Sequence, residues 1–113
     1  MSHRVSQVSE LIRHELGQLL VEEIEFPAGS LVTIIKVETS KDLRYAKIWL
    51  SVMPTLYIKK VLNKLSANAG HLQFLLNKRL TMKPLPRLHF AVDNTEQKAA
   101  EIEEILDRIR KTS

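Results

Sequence analysis

The chain has 113 residues, 44% of them apolar, and a net charge of +4, which suits one domain with a single hydrophobic core. No run of residues approaches the roughly 18 uncharged apolar residues that a membrane span needs, and the absence of cysteine excludes disulfides and thiolate metal sites. We therefore expect a soluble, cytoplasmic, single-domain protein over residues 1–113 that does not contact membranes.

The basic charge is concentrated in the middle of the chain. Residues 1–53 and 93–113 are each slightly acidic, whereas residues 54–92 contain no Asp or Glu. A solvated surface usually mixes both signs, so a long segment of one sign favours a polyanionic partner such as nucleic acid over a surface that only keeps the protein soluble. The basic residues of this segment are Lys59, Lys60, Lys64, Lys78, Arg79, Lys83 and Arg87.

The first predicted element is an amphipathic helix. Apolar residues recur every three or four positions from Val5 to Ile24, which is the spacing of one helix face. We expect the helix to end before Phe26, because Pro27 disfavours a helical residue ahead of it and Gly29 allows a turn.

Two strands are predicted next. Residues 31–38 and 45–52 are rich in β-branched and aromatic side chains, and Ser40-Lys41-Asp42 between them is typical of a turn. We predict an antiparallel hairpin in which Ala46, Ile48, Leu50 and Val52 face the core. Trp49 then lies on the outer face of the sheet or at its rim.

The helical period returns between residues 55 and 80, with Asn68, Ala69 and Gly70 in its middle. One helix over this span would be about 39 Å long, whereas a domain of this size has a radius of gyration near 13 Å. Glycine costs about 1 kcal/mol relative to alanine inside a helix, and asparagine favours helix caps over interiors. We therefore predict two shorter helices that meet at an angle at Asn68-Ala69-Gly70.

A third strand and a last helix complete the pattern. Residues 87–92 alternate, with Leu88, Phe90 and Val92 inward, and Asp93-Asn94-Thr95 is typical of a helix start. The last amphipathic helix should span about residues 95–111. The predicted order is α-β-β-α-α-β-α, an α+β domain with a three-stranded mixed sheet and its helices on one face.

The sequence gives no indication of catalysis. The histidines His3, His14, His71 and His89 lack metal-ligand spacing, and three glycines in the whole chain cannot form a phosphate-binding or dinucleotide-binding loop. The chain has two runs of glutamates, and neither suggests a catalytic pair of carboxylates. They are Glu22, Glu23 and Glu25, and Glu101, Glu103 and Glu104. We therefore predict no enzyme activity, no metal, no cofactor and no small-molecule substrate.

Several strings resemble the ribosome-binding factor A family, whose members assist assembly of the bacterial small ribosomal subunit. The most specific string is VETSKDLRYAK at residues 37–47, similar to the family's V-E-x-S-[RK]-D-L-x-Y-A-K. Weaker similarity lies in PLPRLHF at residues 84–90 and in Asp93-Asn94-Thr95. The resemblance covers nearly the whole chain and implies a type II KH-like fold with an Ala-x-Gly kink between two helices, here at Asn68-Ala69-Gly70.

The resemblance also implies a function. It indicates a non-catalytic factor that binds the immature small (30S) subunit and assists processing and maturation of 16S rRNA, and we expect a monomer. We expect the kink to gather the basic side chains of residues 54–92 into one RNA-binding groove. Trp49 and Tyr45 can stack on an unpaired base, although aromatic residues in a strand more often cover a sheet face. The alternative is a protein-interaction module that docks a partner through its sheet face or its last helix.

Overall fold

The computed structural model describes residues 3–81 and 85–93. Lys83 and the predicted last helix at about 95–111 lie outside these residues. The described part begins with helix α1, continues through a hairpin, a short 3-10 turn and a long helix, and ends with a third strand. The elements are α1 (His3–Glu23), β1 (Leu31–Thr39), β2 (Tyr45–Met53), the 3-10 turn (Thr55–Tyr57), α2 (Ile58–Arg79) and β3 (Arg87–Val92).

The sheet confirms the predicted α+β architecture. Its strand order is β1-β2-β3, with β1 antiparallel and β3 parallel to the central β2. The parallel pair needs a crossover connection, and α2 provides it. Ala46, Ile48, Leu50 and Val52 of β2 are fully buried against the helices, as predicted.

Helix α1 and helix α2 cover this buried face of the sheet. Ile12 and Leu16 of α1 and Leu65 and Leu72 of α2 have no exposed surface and belong to the same core as β2. Full burial of such a side chain contributes about 1.5–3 kcal/mol to stability. The three-to-four-residue spacing in α1 therefore predicted most of its core face, although Leu11, which belongs to the predicted stripe, is 50% exposed.

A β-bulge in β1 adjusts which residues face outward. Ile34 pairs with Leu50 and Val37 pairs with Ile48, so one extra residue, Ile35, lies between two positions that both face the core. Ile35 is consequently exposed. Beyond the bulge, alternate residues of β1 again project to the outer side of the sheet, beside the outward-facing residues of β2.

The hairpin turn is built by the string that carries the family resemblance. Ser40 Oγ donates to Asp42 Oδ1 at 2.6 Å, and the backbone amide of Arg44 donates to the same carboxylate oxygen at 3.2 Å. Both hydrogen bonds lower the pKa of Asp42 below its usual value, and the hydrogen bond from Ser40 has the larger effect. Leu43 takes a positive φ of 61° within the turn. The motif at residues 37–47 therefore has a structural role at this turn.

Helix α2 corrects one prediction. It is a single α-helix from Ile58 to Arg79, so no junction between two helices lies at Asn68-Ala69-Gly70. Asn68 Nδ2 donates to the carbonyl oxygen of Lys64 at 2.8 Å, which satisfies its side chain without ending the helix. A bend of the helix axis at these residues stays a prediction.

The helix continues because its apolar face continues. Leu72 and Leu76 are as fully buried after residues 68–70 as Val61 and Leu65 are before them. Their burial outweighs the cost of about 1 kcal/mol for the glycine. A Cβ at Gly70 would meet nothing within 4 Å, and the φ of Gly70 is not positive, unlike that of Gly29 at 83°. Packing therefore overrides a local helix-breaking signal.

We predict that Gly70→Ala stabilises the protein by about 1 kcal/mol, because alanine fits a continuous helix without a clash and restricts the unfolded chain. Urea denaturation followed by circular dichroism measures the change. Gly29→Ala is the matched control and should destabilise by about 1 kcal/mol, since its φ is left-handed. Destabilisation by Gly70→Ala would contradict the continuous helix.

Candidate nucleic-acid interface

The outward side of α2 carries four exposed lysines. Val61, Leu65, Leu72 and Leu76 face the core, and residues 58–79 contain no Asp or Glu. We call the exposed set the α2 lysine face. Its members are Lys59, Lys60, Lys64 and Lys78. Lys60 and Lys78 lie about five whole turns apart, so they point in the same direction with roughly 27 Å between them along the axis.

The N-terminal end of α2 is strongly electropositive. Its first turn contains Lys59 and Lys60 and no acidic residue, and no side chain caps the helix. The helix dipole already places partial positive charge at this end, so two lysines there reduce the stability of the helix. The same arrangement attracts an anion, because the positive end of the helix dipole and two ammonium groups lie close together.

Lys64 connects the lysine face to the segment that follows α1. Its Nζ donates to the backbone carbonyl of Glu25, so part of its donor capacity is used within the fold. An ammonium group has three donors, and two stay available to a ligand at the edge of the face. Lys64 therefore both fixes the segment after α1 and contributes positive charge.

The C-terminal end of the face contains an exposed aromatic ring. Lys78 Nζ lies 4.5 Å from the centroid of the Phe74 ring, and Phe74 is 54% exposed. The pair presents a stackable ring next to a cation, a combination that suits single-stranded nucleic acid. Our sequence reasoning missed Phe74. The available signal was that Phe74 falls opposite the apolar stripe of Leu72 and Leu76.

Arg79 does not belong to the lysine face. Its Nη2 lies 2.7 Å from Glu22 Oε2, its Nη1 lies 3.5 Å from Glu15 Oε2, and it also donates to Gln18 Oε1 at 3.4 Å. These partners are all on α1. The hydrogen bond with Glu22 is the largest of the effects that raise the pKa of Arg79. Arg79 therefore connects the two helices.

Arg87 is also separate from the lysine face. Arg87 is the first residue of β3, and it pairs in register with Tyr45 of β2; both are exposed. The next pair along the two strands, Leu88 and Ala46, is buried. Arg87 thus projects from the side of the sheet opposite α2. Lys83 lies outside the described residues. Of the six predicted residues that the structure describes, it brings together four.

The flanks of the lysine face differ in charge. Along one flank, the end of α1 supplies Glu22 and Glu23, and His71 Nε2 on α2 lies 3.0 Å from Glu23 Oε1. Along the other flank, Gln73 donates to the carbonyl oxygen of Pro86 and accepts from the amide of Leu88, which holds β3 beside α2. A polyanion should therefore approach from the outward side and the uncharged flank.

Over residues 3–81 and 85–93, no group of three or more His, Cys, Asp or Glu side chains could hold a metal ion. In the same part of the chain, no helix has the length and apolar character required to cross a membrane.

A family model described as "Ribosome-binding factor A" matches residues 4–106. The chain belongs to the ribosome-binding factor A family. A curated family member from Akkermansia muciniphila is 35% identical over 111 residues, which is 98% of this chain and 88% of that protein. The family resemblance predicted from residues 37–47 is thereby confirmed.

Solved structures of family members share the fold. The crystal structure of ribosome-binding factor A from Thermus thermophilus superposes with a TM-score of 0.66 at 22% identity, covering 78% of this chain and 94% of that one. A homology model of the T. thermophilus factor, fitted into a cryo-EM map of its complex with the 30S subunit, gives a TM-score of 0.60 at 25% identity. It covers 81% of this chain and 93% of that one. The KH-like fold is confirmed.

We predict that Arg79→Ala lowers the melting temperature, because Glu15 and Glu22 of α1 lose the cation between them. Lys78→Ala is the matched control from the adjacent position, and it should change the free energy of unfolding by less than about 0.5 kcal/mol. Differential scanning calorimetry measures both variants. Equal losses of stability would contradict the assignment of Arg79 to the helix–helix contact.

Proposed function

We propose that this protein is a non-catalytic, single-domain, monomeric and cytoplasmic maturation factor that binds the immature small (30S) ribosomal subunit and assists processing and maturation of 16S rRNA. It needs no cofactor in this role. The observation that carries the proposal is the α2 lysine face, a set of exposed lysines on a helix that contains no Asp or Glu, in a member of the ribosome-binding factor A family. The complex of the T. thermophilus factor with the 30S subunit supports the choice of partner.

The chemistry of the lysine face suits rRNA phosphates. Ammonium groups neutralise phosphates and release condensed counterions, which contributes affinity and orientation with little base specificity. Because α2 is one continuous helix, Lys64 and Lys78 stay about 21 Å apart along its axis. A fixed spacing selects RNA by the shape of its backbone, which is how folded RNA is largely recognised.

Selection by shape explains how binding assists maturation. A surface that fits a transient rRNA conformation better than the mature one shifts the population toward that conformation. The factor leaves when maturation removes the matching arrangement of phosphates. No bond is made or broken by the protein in this account, and the chain supplies only a preformed surface.

Family membership favours the ribosomal partner over the alternative of a protein-interaction module. The two functions differ in their response to salt. Binding through phosphates weakens with salt, with a slope of about −0.7 per contacted phosphate on single strands. An apolar protein interface responds little.

We predict that Lys60→Glu/Lys78→Glu weakens association with immature small subunits at least about tenfold and flattens the dependence of the association constant on salt, because phosphate contacts are lost. Cosedimentation over a range of salt concentrations measures both quantities. Lys60 and Lys78 are chosen because both are exposed and neither has an ion pair across the α1–α2 contact, unlike Arg79.

Arg4→Glu/Arg13→Glu is the matched control. It changes the net charge by the same amount on exposed positions of α1 and should leave association within about threefold of the wild type at moderate salt. Undiminished association of the Lys60→Glu/Lys78→Glu variant, with circular dichroism showing an intact fold, would remove the α2 lysine face from the proposed site.

A further inference from the structure

The side of the sheet that faces away from both helices carries a cluster of aromatic and basic side chains. Alternate residues of β2 project outward there, opposite the buried Ala46, Ile48 and Leu50. We call this set the outer sheet cluster. Its members are Lys36 from β1, Tyr45, Lys47 and Trp49 from β2, and Arg87 and His89 from β3.

The exposed rings of Tyr45 and His89 and the half-buried ring of Trp49 lie on this side of the sheet. Tyr45 is 51% exposed, and its ring centroid lies 5.5 Å from that of His89 on the neighbouring strand, with the planes tilted by 44°. Trp49 lies four residues further along β2 on the same side, roughly 13 Å from Tyr45. The two positions provide separate stacking surfaces along one line.

Cations accompany each aromatic position. Lys47 Nζ lies 4.3 Å and Lys36 Nζ 5.5 Å from the centroid of the Trp49 ring. Arg87 is exposed opposite Tyr45 in the parallel register. A flexible lysine that covers an aromatic ring can move to a phosphate when a base takes its place on the ring.

The carboxylate of Glu38 orients the indole of Trp49. Trp49 Nε1 donates to Glu38 Oε1 at 2.6 Å, and Lys36 Nζ lies 3.3 Å from the same oxygen. The hydrogen bond with Lys36 and then that with Trp49 lower the pKa of Glu38. Because Lys36 offsets the charge of Glu38, Lys47 and Arg87 leave the cluster positive.

An open hollow of about 510 Å³ lies at the hairpin end of the cluster. Its lining combines the rings of Tyr45 and His89 with the cation of Lys47, which suit a stacked base and its phosphate. It also includes the carboxylate of Glu38, whose charge Lys36 offsets. The lining residues are Glu38, Thr39, Ser40, Tyr45, Lys47 and His89.

We propose that the outer sheet cluster is a second RNA-binding site, which takes an unpaired RNA segment by stacking bases on Tyr45, His89 and Trp49 and by pairing phosphates with Lys47 and Arg87. The proposal accepts RNA as the partner but does not depend on the α2 lysine face, which lies on the opposite side of the fold. With both sites filled, the protein holds two RNA segments apart.

The position of the exposed aliphatic residues favours RNA over a protein partner here. Leu31 and Met53 are 65% and 44% exposed and pair with each other at the far end of the hairpin, away from Tyr45. Ile35, 46% exposed at the bulge, is the one exposed aliphatic residue of the described hairpin that lies beside the cluster. A protein interface would centre on such side chains, since interface cores are apolar and depleted in charge. The cluster itself is cationic and aromatic.

The only tryptophan of the chain, Trp49, reports on this surface directly. We expect the full-length protein, titrated with an unstructured RNA of roughly ten nucleotides at low salt, to show saturable quenching of Trp49 fluorescence that weakens as salt rises. Tyr45→Ala should weaken binding at least about fivefold, and Tyr45→Phe should restore it, because the ring is the group that stacks. Lys47→Glu should weaken binding more at low salt than at high salt.

The Lys60→Glu/Lys78→Glu variant separates this proposal from the proposed function. It should keep the quenching and its affinity within about threefold, because its changes lie on the other side of the sheet. The proposal would be overturned if RNA bound without changing Trp49 emission. It would also be overturned if the Lys60→Glu/Lys78→Glu variant lost RNA binding while Tyr45→Ala kept it. Quenching by ribosomal proteins but not by RNA would assign the surface to a protein and also overturn it.

Discussion

The parallel pairing of β2 and β3 is the constraint on which the rest of the structure depends. A parallel neighbour cannot follow through a tight turn, so the chain must cross the sheet, and α2 is that crossing. Once the apolar side of α2 covers the buried Ile48 and Leu50, its lysines must point to solvent. The alternation of β2 sends Tyr45 and Trp49 to the other side. The same pairing therefore produces both candidate RNA surfaces.

Two of the lysines that we propose for RNA binding are placed where they reduce the stability of α2. Lys59 and Lys60 lie at the positive end of the α2 dipole, where acidic residues would stabilise the helix. Arg79, at the other end, is neutralised by Glu15 and Glu22 of α1. Arg79, which lies between the two helices, is therefore paired with carboxylates. The lysines on the outer side of α2 have no carboxylate on their own helix. Such an arrangement is expected of a surface that binds polyanions.

The sequence predicted the elements better than the directions of their side chains. Period-two and period-3.6 patterns identified β2 and α1 because burial repeats with the geometry of the element. The predicted junction at Gly70 failed because local propensities omit the packing of Leu72 beyond it. Arg79 and Arg87 were grouped with the lysines because nearness in the sequence does not show which way each charged side chain points. Glu22, the partner of Arg79, lies 57 residues earlier in the chain.

The central claim is that one side of a continuous α2 contacts rRNA phosphates, and lysine footprinting of the native protein tests it most directly. Acetylation of Lys59, Lys60 and Lys78 should be at least about fivefold slower in the complex with immature small subunits than in the free protein. Mass spectrometry reads each site separately. Equal rates for these three lysines in the free and bound protein would contradict the claim.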